Sequence, residues 1–242
     1  MSKKFCIVTC HGFTGYPAEM ESIGRYLQDR GFDWKNLQLP GHGTTPEDLK
    51  TKKWTDWTNY VLSEVDQCLK DYNDNVFMIG LSLGGVMTLY TLINRPKVQA
   101  GICLATPVNI AKKYQKFMLK LPFIGFFLKR QNEKIDIFDP EMKKKHKSYS
   151  KSYPSSVNEL ITVIDYTASN LSKVTNPLLI IQSKKDQIVD YHNAKYIFDR
   201  VQSEQKELFY VDKSSHVLTE DYDKDEIFVK IYDFLQKFTN QM

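Results

Sequence analysis

The pentapeptide Gly80-Leu81-Ser82-Leu83-Gly84 constrains this chain more than any other stretch, because it joins a strand-like run, Asn75 to Ile79, to a helix-like run, Leu83 to Ile93. A serine on so sharp a strand-to-helix turn must take a strained backbone. Its neighbours two residues away on each side must lack bulk for strand and helix to meet. The hydroxyl is then presented at a helix N-terminus, where unpaired N–H groups and the helix dipole favour developing negative charge. Five such residues in isolation carry little information. In this setting they make Ser82 a candidate nucleophile and point to serine hydrolase chemistry.

A serine hydroxyl needs a base, and the base needs an orienting carboxylate. In the fold type that carries this turn, the acid and then the histidine follow the serine, each on a loop after a strand. Asp186 lies just beyond the strand-like run Leu178–Gln182, and His216 just beyond Glu207–Val211. With one helix and one strand between them, both loops open at the same edge of a parallel sheet as Ser82. The competing histidines fit less well. His192 stands at a helix start with no strand between it and Asp186, which reads as a surface or capping position. His146 lies among lysines and reads as part of a solvated face. Asp190 reads as an N-terminal cap for the next helix and Asp165 as a residue within a helix. Gly41-His42-Gly43 reads as a tight turn around a buried histidine. Two oxyanion donors are expected: the N–H of Leu83, and the N–H of Phe13 in the loop His11-Gly12-Phe13-Thr14-Gly15 after the first strand.

Strand-like and helix-like runs alternate along most of the 242 residues, the pattern of an α/β domain with a mostly parallel sheet flanked by helices. Expected strands are Phe5–Cys10, Trp34–Leu39, Asn75–Ile79, Ala100–Ala105, Leu178–Gln182 and Glu207–Val211. Expected helices are Ala18–Arg30 (closed by Gly31), Thr55–Tyr72, Leu83–Ile93, Val157–Asn170, Asn193–Val201 and Glu226–Phe238. The alternation stops between Val108 and Ser156. That segment carries eleven lysines and Arg130 against four acids, a net of +8 in a chain whose total is +4, so the remainder is mildly acidic. A basic, aromatic-rich insert of this kind is expected to form a small cap (108–156) on a core made of 1–107 and 157–242. Its Phe117, Phe123, Phe126 and Phe127 are candidate substrate contacts.

The four cysteines, Cys6, Cys10, Cys68 and Cys103, have no C-x-x-C spacing and read as buried thiols rather than a disulfide framework or metal site. The apolar run at the start is short and reads as a first strand rather than a signal peptide. The longer run from Val76 to Ile93 contains the serine turn itself and is not read as a membrane span. A cytoplasmic location is the default expectation. No cofactor, metal or nucleic-acid motif is present in the sequence.

His11-Gly12-Phe13-Thr14-Gly15, Leu39-Pro40-Gly41-His42-Gly43, Trp54-Thr55-Asp56-Trp57, Gly80-Leu81-Ser82-Leu83-Gly84-Gly85 and the loops of Asp186 and His216 occur in this order along nearly the whole chain. In them the chain resembles the α/β-hydrolase superfamily, and more closely the small bacterial carboxylesterases related to monoacylglycerol lipases. The resemblance implies an α/β-hydrolase fold with a small cap after the family's sixth strand. It also implies a nucleophile at Ser82, a base at His216, an acid at Asp186, oxyanion donors at Phe13 and Leu83, and hydrolysis of short- to medium-chain esters. A monoacylglycerol lipase and a thioesterase use the same three residues and stay open, as does a ligand-binding protein on the same scaffold, which has no need of a complete triad. The expected partner is a small-molecule ester. The lysines of the insert are read as facing water rather than a membrane or micelle surface. Oligomeric state is left open.

Overall fold

The computed structural model describes residues 4–109 and 136–239. β1 (Cys6–Cys10) is the first strand, and a 3₁₀ turn (Pro17–Met20) leads into helix α1 (Glu21–Gln28). Then come β2 (Asp33–Leu37), α2 (Pro46–Thr51), α3 (Trp54–Asp71), β3 (Val76–Leu81), α4 (Leu83–Asn94) and β4 (Ala100–Leu104). Beyond residue 135 the order is α5 (Pro140–Lys145), α6 (Pro154–Ser169), β5 (Leu178–Ser183), α7 (His192–Arg200), β6 (Lys206–Val211) and α8 (Lys224–Thr239).

Among the described residues the strands form one sheet in the order β2-β1-β3-β4-β5-β6, and every neighbouring pair is parallel. Parallel pairing needs crossover helices and buries both faces of the sheet, which is why β1, β3, β4 and β5 are buried throughout and predominantly apolar. Alternate side chains feed two cores. Cys6, Val8, Val76 and Met78 pack with Trp57 and Val61 of α3 and Ala194 and Ile197 of α7. Ile7, Phe77 and Ile79 pack on the other face with Ile23 and Leu27 of α1 and Ile227 and Phe234 of α8. All four cysteines are buried free thiols inside this packing. No helix among the described residues is long and apolar enough to cross a membrane.

The strand order reverses at β1, which pairs with β2 on one side and β3 on the other. At such a switch point the loops leaving adjacent strands diverge and open a crevice at their C-terminal ends. Cys10 is in register with Gly80, so the Gly12–Phe13 loop and Ser82 leave the sheet side by side.

The sequence differs from the structure in a few places. The expected helix Ala18–Arg30 is divided into the 3₁₀ turn and the shorter α1, because the Glu19 N–H bonds back to the Tyr16 carbonyl in a tight three-residue step. Helix α2 is additional. It is built on Thr45, whose side chain accepts the Asp48 N–H, with Pro46 at the first helical position.

Candidate active site

Ser82 lies between β3 and α4 with φ 54° and ψ −112°, the strained conformation expected of the turn and a cost of about 1–3 kcal/mol. The packing that holds it there is a backbone-to-backbone approach. A Cβ on Gly80 would overlap the Gly84 carbonyl, and a Cβ on Gly84 would overlap the Cys10 carbonyl. The Ser82 N–H is tied to the Leu104 carbonyl at 2.8 Å, anchoring the turn to β4. Leu83, the next residue, is the first of α4 and fully buried.

Asp186 and His216 come from the loops after β5 and β6, which pair along their whole length. The His216 Nδ1 stands 2.8 Å from Asp186 Oδ2. Asp186 Oδ2 also accepts from the Gln182 amide at 2.8 Å, and its Oδ1 accepts the N–H groups of Ile188 and Val189 at 2.8 and 2.9 Å. Burial pushes the Asp186 carboxyl up, but the charge and hydrogen bond of His216 and the two backbone N–H groups outweigh it, leaving it below the ordinary aspartate value. An ionised carboxylate only accepts, so His216 Nδ1 carries the proton and Nε2 carries the lone pair. Burial pulls the His216 pKa down, while Asp186 first, then Asp136 and Glu19, raise it. The result lies above the usual histidine value.

His216 and Ser82 line one cleft together with Gly12, Phe13, Asp136 and His146. Asp186 stands behind the ring, its side chain fully buried. Phe13 rests edge-on against Trp57 and His42, and His42 is fully buried in the turn where the sequence places it. The candidate substrate contacts Phe117, Phe123, Phe126 and Phe127 lie outside the described residues. His192 pairs with Asp190 on the exposed surface, its Nδ1 2.7 Å from Oδ1, and Asp190 also takes the His192 N–H at the start of α7.

One reading from the sequence is overturned. His146 is not on a solvated face: its side chain is only 11% exposed, with Nδ1 2.8 Å from Glu220 Oε2 and Nε2 3.9 Å from Glu19 Oε1. The lysines preceding it belong to the last turn of α5, and His146 is the residue at which the chain leaves that helix. Further supports carried no recognisable pattern. The Asp136 carbonyl takes the N–H groups of both His216 and Val217 at 2.9 Å. The Asp221 carboxylate takes the N–H groups of Ser215, Phe138 and Asp139, which locks the His216 loop to the 136–139 segment. Among the described residues no group of three or more histidine, cysteine or acidic side chains is placed to hold a metal ion.

Comparison with known proteins finds relatives that align along nearly the whole chain. A "Carboxylesterase" of Bacillus subtilis (strain 168) is 26% identical over 231 residues, covering 96% of this chain and 92% of the relative. A "Thermostable monoacylglycerol lipase" of Bacillus sp. (strain H-257) is 31% identical over 233 residues, covering 96% and 90%. Among solved structures, one from a study of LipS and LipT, two metagenome-derived lipolytic enzymes, superposes with a TM-score of 0.83 at 26% identity, covering 98% of this chain and 95% of the other. The serine aminopeptidase S33 family matches residues 2–223, and the chain belongs to that family of α/β hydrolases as a carboxylic ester hydrolase.

Proposed function

We propose that the chain is a serine carboxylesterase that hydrolyses short- to medium-chain esters through an acyl-enzyme on Ser82. The observation that carries this reading is the 2.8 Å contact between His216 Nδ1 and Asp186, with the His216 ring in the same cleft as a serine held at φ 54°. Ser82 Oγ attacks the ester carbonyl carbon as His216 Nε2 takes its proton. The carbonyl π pair moves to oxygen, and the N–H groups of Phe13 and Leu83 receive that oxyanion. Collapse breaks the bond to the leaving alcohol, which takes its proton from His216, and Asp186 stabilises the transient imidazolium. Water then attacks the acyl-enzyme, again giving its proton to His216, and the acid departs from a restored Ser82. In this reading the segment 108–156 is the cap over the cleft and decides acyl length.

The monoacylglycerol lipase relative at 31% identity supports a second reading, in which the alcohol is glycerol. One series of assays separates the two: p-nitrophenyl esters of two to sixteen carbons, then 1-monoacylglycerols of matched length, each beside Ser82→Ala. The primary reading expects a maximum at short or middle acyl lengths and a loss of about 10⁴-fold or more in the variant. A long-chain maximum with preference for monoacylglycerols would replace it with the second. Ester hydrolysis that survives Ser82→Ala would refute both. Because His216 must be neutral to act as base and its pKa lies above the usual value of about 6.5, the acid limb of kcat/KM should fall above that pH.

A further inference from the structure

We propose that Glu19 is a positioning residue for the oxyanion donor, holding the Gly12 loop so that the Phe13 N–H points into the cleft. The proposal rests on the reading of Ser82 and Phe13 given above, and it assigns work to a side chain that lies outside the triad and both donors. Gly12 joins two peptide planes that no side chain of its own restrains. Both are clamped from outside. The plane before Gly12 presents its N–H to Glu19 Oε2 at 2.8 Å. The plane after it presents the Gly12 carbonyl to His11 Nδ1 at 2.8 Å and to the Gly15 N–H at 3.2 Å. His11 Nε2 accepts the Leu39 N–H at 3.2 Å, so Nδ1 carries the proton and donates to the Gly12 carbonyl. In a trans peptide the N–H lies opposite the carbonyl, so fixing the Gly12 carbonyl also fixes the Phe13 N–H.

Glu19 is itself held from three directions. Its side chain occupies the space left by Gly15, where a Cβ would overlap the carboxylate. Its backbone carbonyl accepts the Thr219 hydroxyl, and the neighbouring Ser22 hydroxyl donates to the Thr219 carbonyl at 2.8 Å. Thr219 lies three residues beyond His216, so one short segment ties the oxyanion loop to the base-bearing loop. On its remaining side stands His146, itself paired with Glu220. The side chain lines the same cleft as Ser82, so its carboxylate is beside the reacting groups rather than in a remote core.

Burial, with a smaller push from Glu220, raises the Glu19 carboxyl to about 7 against the opposing pull of His146, the Gly12 N–H and His216. The groups facing it are therefore His146, Glu220 and His216, with the Cys10 thiol buried beneath. Asp136 and Asp186 complete the charges around His216. An ionised Glu19 raises the His216 pKa, so removing its charge moves the acid limb of kcat/KM to lower pH.

The test uses the full chain with p-nitrophenyl butyrate, a trifluoromethyl ketone whose adduct on Ser82 carries an oxyanion, and thermal unfolding as the folding control. Glu19→Ala should lower kcat by about 10- to 100-fold, with KM within about threefold, and weaken the ketone in parallel. Glu19→Gln keeps an acceptor for the Gly12 N–H. It should recover kcat to within about fivefold of the parent while its acid limb moves to lower pH. A folded Glu19→Ala with parental kcat and ketone affinity overturns the proposal, and so does a Glu19→Gln as slow as Glu19→Ala. If Glu19→Ala fails to fold, Glu19→Met, which fills the same space without accepting the Gly12 N–H, takes its place. A folded Glu19→Met with lowered kcat and weakened ketone beside a recovered Glu19→Gln supports the proposal, and a Glu19→Met with parental kcat and ketone affinity overturns it. A parent enzyme that neither turns over the ester nor labels at Ser82 with a fluorophosphonate removes the underlying reading instead, a result distinct from all of these.

Discussion

The Asp186–His216 pair and the Glu19–His146–Glu220 cluster both place a histidine Nδ1 2.8 Å from a carboxylate oxygen, both are largely buried, and both border the same cleft. They differ in what else reaches the acids. Asp186 receives the N–H groups of Ile188 and Val189 and the Gln182 amide, and its pKa falls despite burial. Glu19 receives the Gly12 N–H, with His146 at 3.9 Å, and burial wins, raising it to about 7. Asp186 has a histidine at hydrogen-bond distance and three further donors, whereas Glu19 has one donor and its histidine more than an ångström farther off. That difference decides which carboxyl is pulled down and which is pushed up. On the mechanism proposed above, the first pair would stabilise the imidazolium that forms and vanishes in each turnover. The second is suited to holding backbone in place.

The largest effect expected from breaking this contrast is at Asp186. Asn at that position accepts the Ile188 and Val189 N–H groups but presents an amide N–H to His216 Nδ1. The ring is then forced into the tautomer whose Nε2 bears the proton, and it can no longer accept one from Ser82. Asp186→Asn should lower kcat by about 10³- to 10⁴-fold, measured with p-nitrophenyl butyrate, with the fluorophosphonate labelling rate of Ser82 falling alongside. A loss below tenfold would show that this carboxylate does not govern the base.

A smaller effect, and one of a different kind, is expected from Glu220→Gln. Burial lowers the His146 pKa, but the Glu220 hydrogen bond, with the charges of Glu19, Glu220 and Asp136, raises it above the usual value. A histidine raised on folding contributes stability that is fully present below its unfolded pKa of about 6.5 and is lost as pH rises through the higher folded value. Removing the Glu220 charge should cost about 1–3 kcal/mol near pH 6 and less near pH 9, read as a Tm deficit that narrows between the two. A deficit that is flat with pH would mean that His146 is not charged in the folded protein.

The contrast also explains what could be read from the chain before its structure. Asp186 and His216 were legible because each follows a strand, and a parallel sheet delivers all such loops to one edge. Ser82 was legible because Gly80 and Gly84 mark a backbone contact that few other turns require. The sheet itself followed from alternating apolar runs, and its strands fall within a few residues of the expected ranges. Glu19, His146 and Glu220 meet through the loops of three separate segments, so no period or spacing links them. Glu19 sits in a 3₁₀ turn that reads as the start of a helix. His146 follows three lysines of α5 and reads as one more solvated position, until the chain leaves the helix and carries the ring inward. Helix α2 did carry a signal, Thr45-Pro46-Glu47-Asp48, in which a capping hydroxyl, a first-turn proline and two acids stand together.

The smallest effect belongs to a third pair with nearly the same geometry. His192 Nδ1 is 2.7 Å from Asp190 Oδ1, but the two side chains are 70% and 68% exposed. Water screens both partners there, and exposed ion pairs contribute about 0–1 kcal/mol. Asp190 retains a local role, because its carboxylate accepts the His192 N–H at the start of α7, and Asn accepts the same bond. Asp190→Asn should therefore leave kcat, KM and the acid limb of the pH profile as they are, with Tm changed by a degree or two at most. Measured beside Asp186→Asn, it holds the chemical change constant and varies only burial and the surrounding donors. A catalytic defect at position 190 would mean that the surface beyond β5 reaches the cleft, and the division between the loops of Asp186 and His192 would have to be redrawn.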